Sequence, residues 1–168
     1  MQNLSDDFSK IKLLVTDVDG VLTDAGMYYL ESGDEAKKFN TRDGMGIVKL
    51  REQENIDTVI MTREKTEMVA RRARKLGIQH CLQGVMKKGE AISVLSNKLR
   101  IPLSEIAYVG DDINDIEALK LTGYSFCPAD AEDEVKAVSK YVCTKKGGEG
   151  VIREIANLII RAKRGSLS

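Results

Sequence analysis

The sequence has little cysteine, one histidine, no tryptophan and only two prolines. The three cysteines, Cys81, Cys127 and Cys143, are odd in number and widely spaced among apolar residues. This pattern excludes a disulfide framework and predicts buried, reduced thiols. The single histidine, His80, precedes Cys81. Adjacent side chains in a strand point to opposite faces, so these two residues do not form a zinc site.

Long apolar runs are also missing, and none approaches the roughly 20 residues that a membrane-spanning helix needs. The first ten residues are polar and acidic rather than basic and then apolar, which argues against a secretory signal. The sequence therefore predicts a cytoplasmic protein that makes no membrane contact.

Neither sign of charge is in excess, because 26 lysines and arginines balance 26 aspartates and glutamates. A neutral total provides no overall field for attracting nucleic acid, so a nucleic-acid partner is not expected. With 168 residues, of which 42% are hydrophobic and 31% charged, the chain is typical of one globular domain. No linker or repeat divides it, and we predict a single domain over residues 1–168.

Strand-like and helix-like segments alternate along the chain. Short apolar runs predict strands over residues 11–17, 56–61, 78–82, 106–109 and 124–127. Helical periodicity predicts helices over residues 43–54, 64–76, 90–99, 115–121, 133–138 and 150–162. Such alternation is typical of an α/β fold with a parallel sheet between two helical layers. Residues 24–39 depart from the pattern and predict a protruding β-hairpin with its turn at Ser32-Gly33-Asp34.

Four polar segments follow strands or open a helix, where the carboxyl edge of such a sheet gathers ligand-binding residues. They are Asp17-Val18-Asp19-Gly20-Val21, Thr62, Lys87-Lys88-Gly89 and Gly110-Asp111-Asp112 with Asp115. Alone, each segment is better explained as a polar turn, a helix cap or a solvated lysine than as a functional site. Together, the carboxylates would repel one another unless a hard cation such as Mg²⁺ lay among them. A lysine and a hydroxyl at the same edge suit a phosphate group.

In these motifs the sequence resembles the haloacid dehalogenase-like (HAD) phosphatases over nearly its whole length. The resemblance implies a HAD-like Rossmannoid fold in which Asp17 attacks phosphorus and Asp19 acts as general acid and base. It further implies that Mg²⁺ is held by Asp17, the backbone carbonyl of Asp19, and Asp111. Thr62 and Lys88 would then bind the phosphoryl oxygens. Asp112 and Asp115 would support this acidic site.

The segments between the motifs are too short for a cap domain, since the first holds only the hairpin. A HAD chain without a cap, with a hairpin after Thr23, resembles the subgroup acting on phosphorylated 3-deoxy-2-keto sugar acids. That resemblance implies a homotetramer in which hairpins form a central barrel and neighbouring subunits complete each active site. Tyr28, Tyr29 and Phe39 on the hairpin would pack against such a partner. The tail over residues 162–168 would order over a neighbouring site.

Two substrates of that subgroup remain open, the eight-carbon octulosonate 8-phosphate (KDO-8-phosphate) and a nonulosonate 9-phosphate of the KDN or N-acylneuraminate type. Glu64, Arg72 and Lys75 resemble the nine-carbon type. Glu64 and Lys75 would share one face if their helix were continuous. A solvated, charged helix face explains them equally well. Arg42 instead resembles the octulosonate pattern and could bind the substrate carboxylate. On this balance the nine-carbon substrate is favoured.

Near the C-terminus, Gly147, Gly148 and Gly150 precede the last predicted helix. Glycines there permit close backbone approach to a ligand or subunit, although a flexible turn before the helix is an equal explanation. Two other functions are weighed: a non-catalytic oligomerisation module associated with a sugar-acid cytidylyltransferase, and a phosphoacceptor signalling domain. Both are disfavoured, because the chain keeps every motif residue, including Asp19 for hydrolysis of a phosphoryl-enzyme.

Overall fold

The computed structural model describes residues 7–165, which form a sheet, a hairpin and six helices. The strands are β1 (Leu13–Thr16), β2 (Tyr28–Tyr29), β3 (Glu35–Ala36), β4 (Asp57–Met61), β5 (His80–Leu82), β6 (Ile106–Val109), β7 (Tyr124–Cys127) and β8 (Tyr141–Val142). The helices are α1 (Thr41–Glu54), α2 (Glu67–Leu76), α3 (Lys88–Leu99), α4 (Ile116–Leu121), α5 (Asp133–Val138) and α6 (Val151–Lys163). Short 3₁₀ turns occupy Phe8–Lys10, Leu103–Glu105 and Ile113–Asp115.

Six strands pair in parallel in the order β5-β4-β1-β6-β7-β8, so the predicted α/β fold with a parallel sheet is confirmed. The apolar run of β1 lies at the centre of the sheet, and all four of its residues are buried. Thr16, the last residue of β1, pairs with Ile60 of β4 and Val109 of β6. Residues that follow these three strands therefore meet at one edge. The sequence did not predict β8, which has only two half-buried residues.

Helices cover both faces of the sheet. On one face α1, α2 and α6 contribute buried side chains such as Leu50, Val69 and Ile155. On the other face α3, α4 and α5 contribute Ile92, Leu119 and Val135. The two clusters lie on opposite faces of the sheet, between the sheet and the helices. The core therefore has the helix–sheet–helix layers that strand–helix alternation predicts. Within residues 7–165, no helix combines the length and apolar character needed to cross a membrane.

The predicted hairpin is also confirmed, with Tyr28 opposite Ala36 and Tyr29 opposite Glu35. A bridge between Thr23 and Phe39 ties its base to the domain. Residues 27–30, which include β2, expose four large apolar side chains in a row: Met27, Tyr28, Tyr29 and Leu30. An isolated two-stranded hairpin is marginal in water, so this surface lacks the burial that would stabilise it in one copy of the chain.

The helix predicted over residues 64–76 begins later than expected, at Glu67. The Thr66 hydroxyl accepts a hydrogen bond from the Val69 amide, and the Thr66 amide donates to the Gln83 side chain at 2.6 Å. These bonds make Thr66 the N-cap, since its backbone is extended rather than helical. Glu64 is therefore in a loop, and the expectation that Glu64 and Lys75 share a helix face is wrong.

The cysteines form no disulfide among the described residues, as predicted, and Cys127 and Cys143 are buried. Cys81 is only half-buried, because its strand β5 lies at the edge of the sheet. Part of the tail over residues 162–168 continues α6 as far as Lys163, and residues 166–168 lie outside the described part.

Candidate active site

A cleft of about 290 Å³ opens at the carboxyl edge of the sheet. Asp17 follows β1 directly, Thr62 follows β4, and Gly110 separates Asp111 from β6. The cleft is lined by Asp17, Asp19, Ala25, Thr62, Arg63, Glu64, Asp111, Asp112 and Asn114. Three segments distant in the sequence are thus brought together, as their positions after the strands predict.

Lys88, the first residue of α3, forms two buried ion pairs beneath this cleft. Its Nζ lies 2.7 Å from Oδ2 of Asp17 and 2.6 Å from Oδ1 of Asp115. Burial works to lower the pKa of Lys88, but the two carboxylates outweigh it and raise that pKa above its ordinary value. Lys88 is therefore a fixed cation beside Asp17.

Asp115 is held by several donors at once. Its Oδ1 accepts from Lys88 and, at 2.7 Å, from the hydroxyl of Tyr108; its Oδ2 accepts from the Asp111 amide at 3.1 Å. Tyr108 is fully buried in β6, and burial and the Asp115 charge raise the pKa of its phenol well above the ordinary value. Asp115 thus fixes Lys88 and the loop that carries Asp111. Sequence reasoning missed Tyr108, whose only signal is a hydroxyl within an otherwise apolar strand.

The carboxylates of Asp17, Asp111 and Asp115 come close together, with one oxygen of each lying within 4.8 Å of the others. Burial and the neighbouring Asp115 raise the pKa of Asp17 to about 7. Burial, and then Asp17 and Asp115, raise the pKa of Asp111 to about 8. Two carboxylates that resist ionisation in this way need an added positive charge. The sequence predicted such a cation.

Two further observations suit a hard cation at this place. The buried side-chain oxygen of Asn114, which lines the cleft, has no hydrogen-bond partner among the described residues. Oxygen donors of this kind are the ligands that Mg²⁺ takes in proteins. At Gly20 a Cβ would lie 1.8 Å from Oδ2 of Asp111, so only glycine leaves room for that carboxylate. Asp17 and Asp111 together with this oxygen fit a magnesium ion.

Asp19 faces a lysine that sequence reasoning missed. Nζ of Lys37, at the end of the hairpin, contacts Oδ1 of Asp19 and lies 2.7 Å from Oε2 of Glu64. The side chain of Lys37 is only 3% exposed. Burial works to lower its pKa, but the hydrogen bonds that Lys37 donates to Asp19 and Glu64 raise it above the ordinary value. Glu64 therefore enters the cleft as the partner of a lysine of the same chain.

Thr62 is buried at the floor of the cleft. Its amide donates to the carbonyl of Leu82 at 2.9 Å, and its own carbonyl accepts from the Val85 amide at 3.0 Å. These bonds join the ends of β4 and β5 and fix the backbone of Thr62. Asp112 is exposed at the rim, where its side chain caps the 3₁₀ turn that ends at Asp115.

The other predicted substrate-binding residues do not line this cleft. Arg42 lines a separate cavity of about 370 Å³ beside the first turns of α6. Arg72 donates to the carbonyl of Asn40 at 3.1 Å and lies over the ring of Phe39, while Lys75 is exposed on α2. Within one copy of the chain, Glu64 is therefore the one member of the predicted set that borders Asp17. The substrate roles of Arg42, Arg72 and Lys75 remain predictions.

The glycines before α6 approach the backbone of the loop that follows Asp17 in the same chain. A Cβ at Gly147 would lie 1.9 Å from the carbonyl oxygen of Gly20, and the Gly148 amide donates to the Val21 carbonyl at 2.9 Å. At the start of α6, the buried carboxylate of Asp43 accepts from the amides of Gly150 and Arg153. These glycines therefore allow close packing within the chain, and the predicted approach to a ligand or subunit stays a prediction.

The sequence profile of the haloacid dehalogenase-like hydrolases matches residues 78–155. Over 153 residues the chain is 40% identical to 3-deoxy-D-manno-octulosonate 8-phosphate phosphatase KdsC of Salmonella typhi, covering 91% of this chain and 81% of that relative. The Yersinia pestis relative of the same name is 38% identical over 155 residues, which cover 92% of this chain and 82% of the relative.

Solved structures are also similar to this chain over nearly its whole length. The 3-deoxy-D-manno-octulosonate 8-phosphate phosphatase of Moraxella catarrhalis, in complex with magnesium ion, phosphate ion and KDO, has a TM-score of 0.93 and 38% identity, with 99% of this chain and 95% of that chain covered. The cobalt-bound phosphatase of Haemophilus influenzae has a TM-score of 0.90 and 34% identity, with 96% and 94% covered.

Proposed function

Because this chain belongs to the haloacid dehalogenase-like hydrolases, we propose that it hydrolyses 3-deoxy-D-manno-octulosonate 8-phosphate, with Asp17 as the nucleophile and Asp19 as general acid and base. The chain is a phosphatase, and magnesium is its cofactor. The observation that carries the assignment of roles is the buried Lys88, which pairs with Asp17 at the floor of a cleft that also contains Asp19, Thr62 and Asp111.

The eight-carbon substrate replaces the nine-carbon substrate favoured from the sequence alone. The similar relatives are octulosonate 8-phosphate phosphatases, which supports the alternative over the nonulosonate type. The structure also weakens the argument for nine carbons. Glu64 does not lie on α2 with Lys75, and its carboxylate is already bound by Lys37. A carboxylate so paired has less capacity left for sugar hydroxyls.

Hydrolysis would proceed in two steps. A carboxylate oxygen of Asp17 attacks phosphorus, the bond between phosphorus and the sugar oxygen breaks, and Asp19 gives that oxygen a proton. In the second step Asp19 takes a proton from a water molecule, which attacks the aspartyl-phosphate and releases inorganic phosphate. Lys88 and Thr62 would bind the phosphoryl oxygens as they move between donor and acceptor.

Cation binding fits the same arrangement. Asp17 and Asp111 would hold the magnesium ion with the backbone carbonyl of Asp19, while Asp112 and Asp115 would support the acidic site from its rim and its base. When bound, the ion supplies positive charge that allows a phosphate dianion to approach several carboxylates. Asp115 then serves mainly to hold Lys88, because its oxygens already accept from Lys88, Tyr108 and the Asp111 amide.

A homotetramer built on the hairpin is part of this proposal. Side-chain exposures of 50% for Met27, 45% for Tyr28, 68% for Tyr29 and 51% for Leu30 support a partner surface there. The hairpin also carries Lys37, which reaches Asp19 and Glu64. Neighbouring subunits would complete the sugar-binding end of each cleft, and the tail over residues 162–168 would lie over a neighbouring site.

The substrate is tested by measuring phosphate release from KDO-8-phosphate and KDN-9-phosphate side by side, with Mg²⁺ present. We expect kcat/KM for the eight-carbon substrate to be higher by at least about tenfold, in keeping with the discrimination that one altered contact set provides. An equal or reversed ratio would reject the eight-carbon assignment. The Asp17→Asn variant should lose activity on both substrates, and residual activity equal to that of the parent protein would reject the nucleophile.

A further inference from the structure

Lys37 is exceptional within the hairpin. The residues on both sides of it, Ala36 and Lys38, are exposed, whereas its own side chain is 3% exposed. Lysine is rarely withdrawn from water in this way unless it is paired, because burial disfavours its charge. Lys37 satisfies that requirement by crossing from the hairpin into the cleft, where it meets two carboxylates.

The two partners come from different parts of the chain. Asp19 lies in the loop after β1, and Glu64 lies in the loop after β4. Among the described residues, Lys37 is the one cation that forms an ion pair with Asp19. A single ammonium group therefore joins the hairpin to both loops of the cleft and fixes where the Asp19 carboxylate lies.

From this contact, and resting on the proposed role of Asp19, we propose that Lys37 is a positioning residue. By holding Oδ1 of Asp19 it keeps the protonated carboxyl group, with its proton on Oδ2, in line for proton transfer to the leaving sugar oxygen. Glu64 holds the other side of the ammonium group and thereby fixes the position of Lys37. The contact also couples the position of the hairpin to the proton-transfer step. A general acid must lie within hydrogen-bond reach of the oxygen it protonates, so a displaced Asp19 slows the reaction.

This role differs from a purely structural one in its dependence on the leaving group. When an alkyl phosphate transfers its phosphoryl group to Asp17, the departing sugar oxygen must receive a proton. A 4-nitrophenolate ion leaves without one, because its negative charge is delocalised over the ring. A defect in positioning Asp19 therefore slows reaction of the alkyl phosphate much more than reaction of 4-nitrophenyl phosphate. A general distortion of the cleft slows both.

The test compares Lys37→Met with the matched control Lys38→Met, whose parent side chain is 60% exposed and lies 3.8 Å from Asp24. For Lys37→Met we expect kcat/KM on KDO-8-phosphate to fall on the order of 10²-fold, as for impaired general acid catalysis, and on 4-nitrophenyl phosphate by less than about threefold. Lys38→Met should retain the parent kcat/KM on both substrates. The value of kcat/KM depends only on the steps up to release of the alcohol, so the rate at which phosphorylated Asp17 is hydrolysed does not affect it.

Equal losses on the two substrates, or no loss on either, would overturn the proposal. Lys37→Gln serves as the second variant if Lys37→Met does not fold, with the same expected selectivity. Asp19→Asn should show the same dependence on the leaving group, and combining it with Lys37→Met should add little further loss. The proposed function fails separately, if Asp17→Asn leaves hydrolysis of both substrates intact.

Discussion

The ammonium group of Lys88 lies 2.7 Å from a carboxylate oxygen of Asp17, and the two side chains are only 1% and 7% exposed. A buried ion pair of this kind adds modestly to stability, but removing one partner leaves an unpaired charge. This one contact therefore ties the fold to the chemistry. It places a cation beside the carboxylate that we propose as the nucleophile.

Replacing Lys88 by methionine should lower both stability and activity. Two carboxylates lose their partner, so the free energy of unfolding should fall by about 3–5 kcal/mol. Loss of a donor to the phosphoryl group should lower kcat on the order of 10²-fold or more. Urea unfolding and phosphate release measure the two effects. Lys87→Met is the control, since Lys87 is 72% exposed and, among residues 7–165, forms an ion pair with Glu90 alone. Equal effects of both substitutions would contradict the assignment.

Tyr108→Phe removes one buried hydroxyl and leaves the ring. Since the phenol donates to a charged carboxylate, the free energy of unfolding should fall by about 1–3 kcal/mol. A several-fold loss of kcat should accompany it, because Asp115 then holds Lys88 less firmly. Tyr29→Phe, on the exposed hairpin, should change neither quantity. Wild-type stability in Tyr108→Phe would show that the hydrogen bond contributes nothing.

Stability of the metal-free protein should fall as pH rises from about 4 to about 8. In the unfolded chain Asp17 and Asp111 lose their protons near their ordinary pKa of 3.8, but the folded protein keeps them to about 7 and about 8. The folded state therefore binds more protons in this range, and each rise in pH favours unfolding. Thermal unfolding after removal of metal measures this slope.

Magnesium should reverse that trend, because it binds the ionised carboxylates and supplies the missing positive charge. The rise in Tm on adding Mg²⁺ should be larger at the upper end of the pH range than at the lower end. Asp111→Asn should flatten the slope of the metal-free protein. A metal-free protein that becomes more stable as pH rises would contradict the raised pKa values.

Gly147→Ala should disturb the loop that follows Asp17 from outside the cleft. The added Cβ would lie 1.9 Å from the carbonyl oxygen of Gly20, and backbone atoms cannot turn aside as a flexible side chain can. We expect a loss of about 1–3 kcal/mol, typical of overpacking, together with a reduced kcat. Lys146→Ala, at the exposed neighbouring position, is the control. If the free energy of unfolding of Gly147→Ala equalled that of the parent protein, the loop that carries Gly20 would be able to move aside without cost.

Charge placed on the hairpin should break the proposed tetramer. In Tyr29→Glu combined with Leu30→Glu, two exposed apolar side chains become carboxylates that a subunit interface could not bury without cost. Sedimentation should show a tetramer for the parent protein and smaller species for the variant. Leu121→Glu alters an exposed leucine of α4 and should leave the mass unchanged. A monomeric, fully active parent protein would end the tetramer proposal.

Several features followed from the sequence because they depend on local pattern and on the rule for parallel sheets. The strand over Ile106–Val109 has the predicted bounds, and so has the one over Tyr124–Cys127. Apolar runs determine where strands lie. Polar residues directly after them must then gather at one edge, as Asp17 and Thr62 do. The position of Lys88 near this edge could also be predicted, because Lys88 is the first residue of a helix that comes after a strand.

Other features depended on contacts between distant segments. The sequence did not distinguish Lys37 from Lys38, because pairing with Asp19 and Glu64 arises only when the hairpin folds against two loops. Tyr108 appeared to be an ordinary core residue until its hydroxyl met Asp115 seven residues later. The start of α2 was misplaced, because Gln83, seventeen residues beyond Thr66, helps to hold its cap.

The sequence by itself therefore determined the order of the strands and helices apart from β8, the parallel sheet, and which carboxylates meet at its carboxyl edge. Periodic burial and the direction of a strand are properties of neighbouring residues, so these features can be inferred locally. Tertiary structure alone decided which cation faces which carboxylate: Lys88 faces Asp17, and Lys37 faces Asp19. Electrostatic pairing depends on distances of a few ångströms between remote segments, and only the folded chain sets those distances.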